Sequence, residues 1–131
     1  NNTLVGEVVT FYESGEIQSV LLHIPGQLQV EHTNFYKNGV MRSHSFTEFG
    51  ALTGEYSEYY DTGTIKEESH YIKSSLDGEF RRYYANGNLM EIGFYKHFRQ
   101  HGTWLKYDDN FVVQSKRIYL AGDLISESYV L

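Results

Sequence analysis

The sequence predicts an all-β protein: tandem 24-residue β-hairpin repeats that form one elongated antiparallel sheet. Three observations predict it. First, an aromatic–Tyr–x–x–Gly segment recurs at a spacing of 24 residues without a gap. It reads Phe11-Tyr12-Glu13-Ser14-Gly15, Phe35-Tyr36-Lys37-Asn38-Gly39, Tyr59-Tyr60-Asp61-Thr62-Gly63 and Tyr83-Tyr84-Ala85-Asn86-Gly87. Second, other columns keep the same phase. Val8, His32, Tyr56, Phe80 and Trp104 form a large, mostly aromatic one, and Leu22, Phe46, His70, Phe94 and Ile118 another. Glu7, Glu31, Glu55 and Glu79 form an acidic column, Leu4, Leu28, Leu52 and Leu76 a leucine column. Third, twelve Tyr, eight Phe, twelve Gly and a single Pro in 131 residues suit strands and tight turns better than helices.

The third unit shows how each repeat reads. Residues 54–60, Gly-Glu-Tyr-Ser-Glu-Tyr-Tyr, have strand composition. Asp61-Thr62-Gly63 is a turn in which glycine supplies a positive φ. Thr64 to Tyr71 is the return strand, and the polar residues 73–77 link to the next unit. In the fifth copy, Tyr107-Asp108-Asp109-Asn110-Phe111, the second Tyr and the Gly are lost. Asn110 is the residue expected to take the left-handed conformation there. Five units follow, at about 4–27, 28–51, 52–75, 76–99 and 100–125, in a single repeat domain spanning 1–131. One hairpin is unstable alone in water, so the aromatic columns must be buried between neighbours. Ten strands at about 4.8 Å spacing give a sheet on the order of 45 Å long. The leucine column and the aromatic columns are expected to supply its core.

Composition narrows the chemistry. There is no cysteine, which excludes disulfides, thiolate metal sites and a cysteine nucleophile. No apolar run approaches the roughly 18 residues of a membrane helix. The net charge of −6 is uneven: residues 1–36 hold four Glu and neither Lys nor Arg, whereas Arg81 to Arg117 hold seven basic residues against three acidic ones. An acidic chain does not suit nucleic acid or anionic lipid, and its acidic portion is suited to steering a basic partner.

No catalytic set is visible. Glu67 and Glu68 point to opposite faces if they lie in a strand, so they are poor acid–base partners. No nucleophile elbow or phosphate loop occurs. His97 and His101 stand four apart with no third ligand fixed by spacing, and His32 and His70 fill aromatic columns. The expectation is no enzyme, no metal and no cofactor. The candidate partner-binding residues are therefore the recurring ones: Glu7, Glu31, Glu55 and Glu79, and the tyrosines Tyr12, Tyr36, Tyr60 and Tyr84. A bland reading stands beside the second set, in which the rings pack neighbouring hairpins and their phenols bond turn backbone. A functional one makes them interface contacts.

These residues resemble the MORN repeat in its bacterial variant form. The matching pieces are Tyr36-Lys37-Asn38-Gly39-Val40-Met41, Tyr60-Asp61-Thr62-Gly63-Thr64-Ile65 and Tyr84-Ala85-Asn86-Gly87-Asn88-Leu89, with Gly54-Glu55-Tyr56 and Gly78-Glu79-Phe80. The resemblance covers roughly residues 4–125. Units three and four are the best copies, and one, two and five are degenerate. It implies a curved, single-layer sheet used for binding. It also implies a bacterial protein of the antitoxin-like YwqK type. The expected location is cytoplasmic or periplasmic, and a first residue of Asn1 rather than Met leaves room for a trimmed leader or anchor. The function expected is a non-enzymatic module, an antitoxin or immunity protein that occludes a toxin. The alternatives are a structural or envelope-associated scaffold and, behind it, a lipid-binding module.

Overall fold

The computed structural model describes residues 6–130, so Leu4 of the leucine column lies outside them. The described residues form one open, curved antiparallel sheet and contain no helix. Its strands are β1 (Gly6–Phe11), β2 (Ile17–His23), β3 (Gln29–Phe35), β4 (Met41–Glu48), β5 (Ala51–Leu52), β6 (Gly54–Tyr59) and β7 (Ile65–Ile72). They continue with β8 (Ser75–Leu76), β9 (Gly78–Tyr83), β10 (Leu89–Lys96), β11 (Arg99–Tyr107), β12 (Val113–Leu120) and β13 (Asp123–Tyr129). Eleven of them form the path β1-β2-β3-β4-β6-β7-β9-β10-β11-β12-β13, and the short β5 and β8 pair with the ends of β4 and β7. The expected ten strands are thus exceeded: link residues pair as well, and residues 123–129 add an outgoing strand after the fifth hairpin.

The hairpin turns follow the glycine column. Gly15, Gly39, Gly63 and Gly87 have φ of +103°, +87°, +94° and +91°, a region that L side chains rarely enter. Each turn is closed by a bond from the glycine N–H to the carbonyl of the tyrosine three residues earlier, at 2.9 Å. The fifth turn corrects the expectation about Asn110. The period puts residue 111 in the glycine position, and Phe111 itself holds φ +63°. Two contacts hold it there: the Phe111 ring stacks on Tyr107 at 4.8 Å, and Asp108 Oδ1 accepts from the N–H groups of Asn110 and Val112 at 2.9 Å each.

The links also fold more tightly than expected. Residues 73–77 are a two-residue turn at Lys73-Ser74, with φ of +48° and +67°, followed by β8. Phe49-Gly50, His97-Phe98 and Ala121-Gly122 make the equivalent turns. Positive φ at both positions marks the type I′ hairpin loop, whose backbone matches the twist of the flanking strands. Lys-Ser and His-Phe carry no glycine or asparagine to announce it.

Within each hairpin the return strand holds one bulge residue, at Gln18, Arg42, Lys66, Met90 and Gln114, and between hairpins β11 carries two extra residues against β10, an even number that keeps the faces. Alternation along the outgoing strands is therefore unbroken, and two faces can be followed through the sheet. On one, the ring face, Val8, His32, Tyr56, Phe80 and Trp104 stand opposite Leu21, Ser45, Ser69, Gly93 and Arg117. The core lies here. Phe80 and Trp104 are 5% and 4% exposed, and Ser45, Ser69 and Gly93 are buried beneath the rings. Tyr71 packs edge-on to Tyr56 at 5.7 Å, and Tyr95 sits between Phe80 (5.7 Å) and Trp104 (5.1 Å). Large side chains on outgoing strands thus alternate with small ones on return strands, which lets rings from adjacent hairpins meet.

The leucine column contributes less than expected. Leu28 is exposed, while Leu52 and Leu76 are half-buried on β5 and β8. Val8 is also exposed, because among the described residues no strand lies beyond β1 to cover it. At the other end, β13 is displaced by one residue. Ile118 pairs with Ser126 and Arg117 with Glu127, so Glu127, in phase with the acidic column, turns to the ring face. A one-residue slip exchanges the faces. Arg117 Nε donates to Glu127 at 2.8 Å, closing the aromatic stripe with an ion pair.

Burial raises the phenol pKa values of this cluster. Tyr56 is pushed up to about 12 by desolvation first and by Glu58 and Glu67 next; Tyr71 and Tyr95 move the same way. A raised folded-state pKa means that the fold disfavours the phenolate. This stability is complete below the ordinary value of 10.0 and is lost as pH rises towards about 12. Urea midpoints should therefore fall over that interval, and Tyr56→Phe should shallow the fall. An unchanged slope in the variant would assign the alkaline loss to other groups.

Candidate functional site

The Glu and Tyr columns take their places from this alternation. Glu7, Glu31, Glu55 and Glu79 lie on β1, β3, β6 and β9, opposite Leu22, Phe46, His70 and Phe94. Thr103 and Ile118 continue the row on β11 and β12. All of these share one face, the acidic face, because directly opposed residues project to the same side. Glu7, Glu55 and Glu79 are exposed, and Glu31 is half-buried, with His44 Nε2 at 2.7 Å from its carboxylate. Phe94 is 44% exposed although it sits in mid-sheet, where no second layer of the described residues covers it. The row thus alternates carboxylates with apolar or aromatic side chains across four hairpins.

The second row on this face changes sign along the sheet. It runs through Val20, Thr33, His44, Ser57, Glu68, Arg81, Ile92, Leu105 and Lys116. Arg81 reaches Glu79 at 2.5 Å, and Tyr83 donates to Glu68 at 2.6 Å. The acidic end is the N-terminal end, as the charge asymmetry of the sequence implies.

Tyr12, Tyr36, Tyr60 and Tyr84 stand five residues after the glutamates, so they project from the opposite side. The structure does not bring the two candidate columns together. Each phenol donates to the carbonyl that precedes the next turn: Tyr12 to Phe35 at 2.6 Å, Tyr36 to Tyr59 at 2.7 Å, Tyr60 to Tyr83 at 2.7 Å and Tyr84 to Tyr107 at 2.8 Å. All four bonds are half-buried. The 24-residue repeat makes one such bond between every pair of adjacent hairpins. The bulge residues cover the rings: Arg42 lies 5.8 Å from the Tyr36 centroid and Lys66 5.5 Å from that of Tyr60. Lys37 does the same for Tyr12 at 5.5 Å. The turns are joined too, since Asn38 and Asn86 donate to the carbonyls of Asp61 and Asp109. Tyr60→Phe should cost about 1 kcal/mol, the net value of one such bond. Equilibrium unfolding checks this, and a cost near zero would show that water satisfies the Tyr83 carbonyl in the variant as well as the phenol does in the parent.

Glu67 and Glu68 point to opposite faces, Glu67 to Arg82 at 3.1 Å and Glu68 to Tyr83. Sequence reasoning missed the small column. Ser45, Ser69 and Gly93 sit 24 residues apart opposite the large column, and that spacing was available as a signal.

Residues 4–23, 52–73 and 76–97 match the family model of the MORN repeat variant. Three of the five units are thus similar to the MORN repeat variant. The match includes the first unit, which the sequence reading placed among the degenerate ones, along with units three and four. No curated protein matches the chain. Units two and five lie outside the matched segments, yet both fold as bulged hairpins of the same kind: unit two keeps the glycine turn and the Tyr36 bond, whereas unit five keeps the bulge and accepts from Tyr84 at the Tyr107 carbonyl.

Proposed function

We propose that the protein is a non-enzymatic binding module that engages a protein partner through its acidic face. The observation that carries this reading is the uncovered row of Glu7, Glu31, Glu55 and Glu79 alternating with Leu22, Phe46, His70 and Phe94. Alternate strands place successive carboxylates roughly 10 Å apart. That exceeds the screening length of about 8 Å at physiological salt, so the row tolerates its own charge. Apolar side chains between the carboxylates supply contact area, and the carboxylates select a basic surface. Repeats add such contacts along one line.

The finer reading is an antitoxin or immunity protein of bacterial origin that occludes a basic toxin, in the cytoplasm or periplasm. It is supported by the resemblance of the repeats and by the acidic face, whose sign suits a basic surface. The test is kinetic. A partner recovered by pull-down from the native host is captured, and association is followed at two ionic strengths. Glu31→Lys with Glu55→Lys should slow association about tenfold and flatten its salt dependence, as loss of electrostatic steering does. An unchanged rate and salt slope would leave the acidic row as a solvated surface.

One observation favours a scaffold instead. The outer edge of β13 is unpaired among the described residues, and Leu124, Ile125, Tyr129 and Val130 beside it are exposed. Open edges are templates for strand addition. A concentration-dependent mass in light scattering, abolished by Ile125→Lys, would support that reading.

A further inference from the structure

We propose that the recess at the β10–β11 turn is an anion site that takes the phosphoryl group of a soluble phosphomonoester. Lys96, His97, Arg99, His101 and Ala121 line it, in a volume of about 470 Å³. No carboxylate is among these residues. Lys96 and Arg99 stand directly opposite each other across the two-residue turn. Like charges so placed repel and destabilise a hairpin. Among the described residues, no carboxylate oxygen comes within 4.0 Å of either cation or of the two imidazoles. This arrangement occurs in a chain of net charge −6. The repeat does not demand it, for the corresponding turns read Glu48-Phe49-Gly50-Ala51, Ile72-Lys73-Ser74-Ser75 and Leu120-Ala121-Gly122-Asp123. The concentration of positive charge belongs to this turn alone among them.

Arg99 is already positioned. Its stem lies along Gly122, where an added Cβ would come within 3.3 Å of the Arg99 Cδ, and its Nη1 donates to the Ala121 carbonyl at 3.4 Å. The β12–β13 turn that holds it is tied to β11 by Gly122 N–H to the Gln100 carbonyl at 2.9 Å. A guanidinium held this way keeps further N–H groups for a ligand and loses little freedom on binding. Lys96 and the two imidazoles bring donors from other directions. A tetrahedral dianion accepts from several directions at once, which suits a phosphoryl group better than a planar carboxylate.

The experiment is an amide-resolved NMR titration of the whole chain with inorganic phosphate and with O-phosphoserine, each against sodium chloride at matched ionic strength. Saturable shifts centred on residues 96–101 and 121–122 are expected with both. Arg99→Gln and Lys96→Gln should each weaken binding about tenfold, the effect of losing one charge-assisted contact. Lys116→Gln, on the same face outside the recess, should leave it unchanged. Lys96 does not pack on Gly122, so its variant reports on the charge even if Arg99→Gln disturbs the turn. Shifts that chloride reproduces, or that survive both substitutions, would overturn the proposal. So would binding seen only with vesicles carrying a phosphomonoester headgroup and with neither soluble probe.

Discussion

Gly93→Ala is expected to destabilise the domain by about 3 kcal/mol, at the upper end of what overpacking costs. The reason is one close approach. A Cβ built on Gly93 would lie 2.1 Å from the Trp104 indole and 2.5 Å or less from three of its ring atoms. The ring has little room to retreat. Phe80 lies 5.6 Å from it, Tyr95 5.1 Å and Tyr119 6.3 Å, and its Nε1–H donates to the Phe94 carbonyl at 3.2 Å. Either the indole leaves the most buried site of the sheet or β10 moves away from β11. Urea unfolding measures the cost. The control is Trp104→Val, in which the added methyl finds space, so the double variant should cost clearly less than the sum of the two single ones. Additive costs would show that Gly93 and Trp104 do not share a site.

Gly63→Val should cost about 2 kcal/mol and Gly63→Asn less, because a β-branched residue is strained at positive φ and asparagine is tolerated there. Gly63 has φ +94° and closes its turn by donating to the Tyr60 carbonyl at 2.9 Å. There is space for a side chain, the nearest atom to an added Cβ being the Val40 Cγ1 at 4.0 Å, so the cost is conformational and not steric crowding. Equal costs for valine and asparagine would show that the turn relaxes out of the left-handed region. Phe111 gives a natural comparison: it holds φ +63° at the same phase, but with stacking on Tyr107 and two bonds to Asp108 in support.

Both predictions concern side chains or backbone that the period locates, and they differ in how visible they were beforehand. Gly63 could be assigned to a turn from the sequence, because a glycine recurring after Tyr-x-x has a local role. Gly93 could not be assigned in that way. Its importance depends on Trp104, eleven residues later, and on which atoms of two strands come to lie face to face. The Tyr column is intermediate. Its recurrence was evident, but the acceptors, carbonyls 23 residues on, follow only from the stacking of one hairpin on the next.

The sequence by itself determined the repeat, its period, the hairpin turns, the all-β class and the acidic and aromatic columns, because each rests on local periodicity or on the φ preferences of single residues. Only the tertiary structure decided which carbonyls the Tyr column meets, that Glu127 crosses to the ring face and that Lys96 confronts Arg99. Each of these depends on strand register and on the place of a bulge. A shift of one residue in pairing exchanges the two faces of a strand, and no composition or spacing within a single strand records which register its neighbour adopts.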